Sequence, residues 1–117
     1  MSAVDDLFSS LRESNRKALM PFVTAGDPDV ETTAAILSGA REAGADLCEV
    51  GVPYSDPIAD GPVIQASYQR ALDGGFKLAH LFDLPGRVDP DHRTPMVTMA
   101  SYSIIYRMGL AAYVDQA

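Results

Sequence analysis

The chain has 117 residues, 47% of them hydrophobic, enough for one small domain with its own core. Its net charge is −7 with no block of basic residues, which removes electrostatic support for binding nucleic acid or an anionic membrane. Cys48 is the only cysteine, so an internal disulfide is excluded, and the apolar runs are too short for a membrane span. With no signal-like pattern in Met1-Ser-Ala-Val-Asp-Asp, the expectation is a soluble protein of the reducing cytoplasm.

Helix and strand signals alternate along the chain. Val4, Leu7, Phe8 and Leu11 recur at helical spacing behind Ser2, a suitable N-cap. Ala18 to Thr24 reads as a first strand, with Met20, Phe22 and Thr24 on one face, and Ala25 to Asp29 as a turn. Asp29 is a plausible N-cap for a helix striped by Val30, Thr33, Ala34, Leu37 and Ala40 and ended by Gly44. The second strand, Ala45 to Val52, places Leu47, Glu49 and Gly51 on one face and Cys48, Val50 and Val52 on the other. Gly61-Pro62 opens a helix that Gly74-Gly75 closes. Leu78 to Val88 has helical character that Pro85-Gly86 is expected to break or kink. Pro95 to Tyr102 reads as the third strand, with Thr98, Ala100 and Tyr102 sharing a face, and Ser103 to Ala117 as a helix interrupted at Gly109.

This βαβαβα order predicts an α/β fold with parallel strands and right-handed crossovers. Nothing in residues 1–117 divides them into separate domains.

The chemistry is concentrated in Glu49-Val-Gly-Val-Pro-Tyr-Ser-Asp-Pro-Ile-Ala-Asp60-Gly-Pro. A strand buried on both faces has no cheap place for a charge, so Glu49 either lines a polar cavity or carries a displaced pKa. The residues alone leave Glu49 open between a working carboxylate and an edge-strand or salt-bridged residue. Asp60 alone equally suits a helix-start turn. Asp27 and Asp29 read as turn and cap. His80 and His92 have no partner at metal spacing and read as surface residues, so no metal site is expected. Cys48 points away from Glu49 and reads as a small core residue.

Together with Met20-Pro-Phe-Val-Thr-Ala-Gly-Asp-Pro28 and Ile64-Gln65, this segment resembles the tryptophan synthase α subunit family, from about Asp6 to the last residue. The resemblance implies parallel βα units of a (β/α)8 TIM barrel, of which residues 1–117 would be the N-terminal portion with the first three strands. It implies a lyase activity in tryptophan biosynthesis, the retro-aldol cleavage of indole-3-glycerol phosphate to indole and glyceraldehyde 3-phosphate. Glu49 then matches the general acid-base, and burial would raise its pKa toward the working range. Asp60 matches the carboxylate that binds the indole N–H and must stay ionised. Phe22 and Tyr102 match substrate-pocket positions, with a core phenylalanine the alternative for Phe22. Pro53, Asp56 and Pro57 match a loop that contacts a β subunit in an α2β2-type complex. No cofactor is implied in this chain, pyridoxal phosphate belonging to that partner.

The sequence departs from the family pattern at Ser103-Ile104, where Asn-Pro is common, and at Ala100, where a larger side chain is often found. Five barrel units have no counterpart in the 117 residues, nor do the phosphate-binding loops after strands 7 and 8 or the mobile loop over the substrate. These 117 residues alone are therefore expected to have little or no lyase activity, and their open strand edges to lead to self-association or partial disorder. Two alternatives stand beside the lyase. One is a catalytically inactive fragment that binds and modulates a pyridoxal-phosphate-dependent β subunit. The other is a different phosphate-binding barrel, against which the Glu49/Asp60 pair argues.

Overall fold

The computed structural model describes residues 2–89 and 94–117. The element order is α1 (Ala3–Glu13), β1 (Phe22–Thr24), α2 (Val30–Glu42), β2 (Cys48–Gly51), α3 (Pro62–Asp73), α4 (Leu78–Val88), β3 (Met96–Met99), α5 (Tyr102–Met108) and α6 (Leu110–Gln116). The strands form one parallel sheet in the order β1-β2-β3. Each strand pairs with its successor in sequence, the arrangement that helical crossovers produce.

Local chemistry sets the helix ends. Ser2 and Asp5 form a reciprocal capping box on α1, and the Asp29 side chain accepts the Thr32 N–H at the start of α2. Gly44 follows the end of α2 with φ +100°, a left-handed conformation that a Cβ would oppose. Pro62 takes the first position of α3, where no intrahelical N–H is needed. The interruption of the last helical stretch falls at Gly109, as expected.

The core lies between the sheet and the helices. Cys48, Val50 and Val52 pack with Leu37 of α2 and Leu81, Leu84 and Val88 of α4. The period-two reading of the second strand therefore holds: one face of β2 is core, and the face of Leu47, Glu49 and Gly51 is turned the other way. Burial also raises the pKa of the Cys48 thiol, consistent with a small inert core residue.

Two sequence expectations are corrected. Pro85 does not break α4, which runs unbroken from Leu78 to Val88. A proline inside a helix costs about 3 kcal/mol. Burial of Leu81, Leu84 and Val88 offsets this at about 1.5–3 kcal/mol per side chain. All three strands are also shorter than expected, β2 covering only Cys48–Gly51 of the stretch Ala45 to Val52. β1 begins at Phe22, although the Asp46 N–H still donates to the Leu19 carbonyl and the Glu49 N–H to that of Pro21. β3 ends at Met99, so Tyr102 belongs to α5.

Asp27 does more than shape a turn. Its carboxylate accepts two hydrogen bonds from Arg70, 2.9 and 2.7 Å, and one from the Ser67 hydroxyl, tying the β1–α2 turn to α3. The Arg70 guanidinium, aided by Ser67, holds the Asp27 pKa below its ordinary 3.8. A depressed carboxylate pKa contributes stability that is present above the unfolded value and lost as pH falls through the folded one. Asp27→Asn should therefore lower the urea midpoint of the native protein at pH 7. The difference from wild type should shrink once the pH falls below the depressed pKa. An equal deficit at both pH values would show that the charge is not the cause.

No helix among the described residues is long and apolar enough to cross a membrane. His80 does local work: its Nδ1 accepts the Lys77 N–H at 3.1 Å at the start of α4, and its ring meets Phe76 edge-on. His92 lies outside the described residues.

Candidate active site

The site is built on the face of the sheet opposite the helical core. In a parallel pair, register partners project to the same side. Phe22, Glu49 and Val97 are partners, and two residues further toward the strand ends so are Thr24, Gly51 and Met99. Glu49 is half-buried on this face. The Phe22 ring leans along the sheet across Gly51, where an added Cβ would lie 2.4 Å from its Cζ. Glycine at 51 is a packing requirement: it lets an aromatic ring lie flat against the strand beside Glu49.

Beyond β2 the chain forms a loop that rises to α3. The Asp60 N–H donates to the Pro57 carbonyl at 3.2 Å, and the Gln65 side-chain amide donates to the Asp60 carbonyl at 2.6 Å. The N-cap of α3 is Gly61, with no side-chain cap bond. Asp60 is thus not spent as a cap, and its carboxylate lines a cavity of about 410 Å³ over the strand ends. The opposite walls come from Val52, Tyr54, Met99 and Ala100, with Tyr68 of α3 reaching in from the side.

Tyr68 connects the two carboxylates. Its phenol pKa is raised above 10.0, first by burial, then by the negative charges of Asp60 and Glu49. Its Oη would lie 3.0 Å from a Cβ on Gly51. Glu49, Asp60, Phe22 and Tyr68 therefore share one neighbourhood, and the first three were singled out in the sequence.

Tyr102 does not join them. It is the first residue of α5, is 65% exposed, and tilts against Tyr106 with ring centroids 6.2 Å apart. The strand parity that grouped Thr98, Ala100 and Tyr102 fails because β3 stops at Met99. Thr98 faces the other way and hydrogen-bonds the Tyr113 hydroxyl at 2.8 Å. The small Ala100 lines the cavity, leaving that wall open. Of the three loop residues expected to face a partner, Pro53 is buried and Pro57 half-buried, so only Asp56 offers an exposed side chain. Its neighbour Ile58 is 87% exposed. No group of three or more His, Cys, Asp or Glu among the described residues is placed to hold a metal ion.

The sequence assigns no role to two contributors, Tyr68 and Gln65, although Gln65 belongs to the matched motif. The available signal is Gly51, a glycine within the stretch read as a strand, since such a glycine marks close approach of another group.

The family model described as "Tryptophan synthase alpha chain" matches residues 8–117. The chain belongs to the tryptophan synthase alpha chain family. A tryptophan synthase alpha chain from Rhodopirellula baltica is 67% identical across the whole of this chain, which covers 43% of that relative. One from Acaryochloris marina is 47% identical over 99% of this chain, covering 43% of the relative. The crystal structure of tryptophan synthase subunit alpha from Legionella pneumophila superposes with a TM-score of 0.94 at 32% identity, over 99% of this chain and 45% of that one. Tryptophan synthase from M. tuberculosis in its aminoacrylate-bound form gives 0.91 at 33% identity, over 99% and 47%. The chain thus spans less than half the length of the curated relatives it matches. The three βα units are those of a tryptophan synthase alpha (β/α)8 barrel, three of whose parallel strands are present here.

Proposed function

We propose that this chain supplies the acid-base face of a lyase that cleaves indole-3-glycerol phosphate to indole and glyceraldehyde 3-phosphate. The observation that carries the reading is the pair Glu49 and Asp60. One stands on the open face of β2, the other on the loop above it, and both are close enough to act on one phenol. The carbon–carbon bond to be broken ends on an aromatic ring, so the ring must first accept a proton at that carbon. Asp60 accepts the ring N–H and stabilises the resulting cation. Glu49 exchanges the protons, including the one removed from the adjacent hydroxyl, and the freed electron pair returns the ring to aromaticity. Phe22 offers a flat apolar surface for the indole beside them.

No cofactor is assigned to this chain. The proposed partner is a pyridoxal-phosphate-dependent β subunit, the surface offered to it being the loop carrying Asp56, and the proposed location is the cytoplasm. Asp56→Lys should weaken association with the β subunit by about 10-fold or more, through a slower on-rate or an unpaired rim charge. An unaltered affinity would remove Asp56 from the interface.

The activity itself is tested by incubating the native protein with indole-3-glycerol phosphate and quantifying both products. Indole and glyceraldehyde 3-phosphate should appear in equal amounts. Turnover of other sugar phosphates without indole release would overturn the reading.

A further inference from the structure

Tyr68 is 3% exposed, yet its hydroxyl is neither sealed in the core nor hydrogen-bonded to protein among the described residues. The ring is buried by packing, and Tyr68 lines the same cavity as Asp60. Its immediate neighbours in α3 anchor it further, since Ser67 and Arg70 both bind Asp27 across the β1–α2 turn. Its hydroxyl lies over Gly51 beside the Phe22 ring, within reach of the charges of both Asp60 and Glu49. Both carboxylates are acceptors when ionised, so the hydroxyl brings a donor where none is otherwise supplied by them.

We propose that the Tyr68 hydroxyl donates a hydrogen bond to the substrate oxygen from which Glu49 removes a proton. This rests on the lyase reading. In that step the O–H bond breaks with its proton passing to Glu49, a C=O bond forms, and the carbon–carbon bond breaks with its electron pair moving into the protonated ring. Charge builds on the oxygen before the C=O is complete. A fixed neutral donor aimed at it stabilises that charge without reorganisation and without giving up its own proton. The raised pKa of Tyr68 keeps the donor protonated through the neutral range.

The test is Tyr68→Phe in the native protein, which keeps the buried ring and removes one oxygen. Turnover of indole-3-glycerol phosphate should fall by about 10²- to 10³-fold in kcat, the range for loss of one donor to a developing oxyanion. Indole-3-propyl phosphate has the ring and phosphate but no glycerol hydroxyl. Its binding stoichiometry should stay at the wild-type value and its Kd should change by less than about twofold. Unchanged kcat would overturn the proposal. So would a loss of kcat matched by an equal loss of binding sites, the mark of a purely structural tyrosine. Wild-type activity that Glu49→Gln abolishes but Tyr68→Phe leaves intact would sink this inference alone. Absence of wild-type cleavage would sink the lyase reading with it.

Discussion

Glu49→Gln in the native protein should reduce kcat for indole-3-glycerol phosphate cleavage by about 10²–10⁴-fold, the usual contribution of a positioned general acid-base. The substitution preserves shape and hydrogen bonding but cannot cycle a proton. Glu49 is held by β2, with backbone bonds to both neighbouring strands, so glutamine should occupy the same place without disturbing the sheet. Glu49 is not among the residues that line the cavity over the strand ends, and KM should move by no more than about threefold, since the lost interaction belongs to the chemical step. A kcat within a few-fold of wild type would mean that the proton passes through another group. Asp60 is the alternative carboxylate, but its position lining the cavity above the strand ends suits ring N–H recognition better.

Leu37→Ala should destabilise the native protein by about 2–5 kcal/mol, the cost of truncating a fully buried leucine. Leu37 is 0% exposed and lies in the cluster between α2 and the core face of β2, against Val50 and the α4 residues. The same face holds β2 in place, and with it Glu49 on the opposite side. Urea unfolding should show a lower midpoint with an unchanged slope. Leu37→Met conserves most of the volume and should cost less than about 1.5 kcal/mol. A loss below about 1 kcal/mol for the alanine variant would mean that the layer is less tightly packed than its burial implies.

Much of this arrangement was legible in the sequence, because the features involved are local. The two faces of β2 follow from a period of two, and the caps at Ser2 and Asp29 follow from side-chain chemistry within four residues. The Glu49 and Asp60 assignments came from a long motif whose resemblance extends past the local pattern. What was lost is non-local. Asp27 and Arg70 are 43 residues apart, and nothing in either stretch announces their pairing. Tyr68 looked like any residue of a helix between Pro62 and Gly74; its role arises where α3 crosses over Gly51. Pro85 obeyed burial over propensity, because three buried side chains outweigh one missing hydrogen bond. Tyr102 departs from the strand pattern at a boundary: parity holds only while the strand lasts, and β3 gives way to α5 before reaching it.

The most direct measurement is a crystal structure of the Glu49→Gln native protein soaked with indole-3-glycerol phosphate, which the variant should bind without cleaving. The indole N–H should lie about 2.7–3.2 Å from an Asp60 carboxylate oxygen, with the ring against Phe22 and the adjacent hydroxyl facing residue 49 and Tyr68. Ordered substrate elsewhere on the protein, or an indole ring turned away from Asp60, would contradict the proposed chemistry.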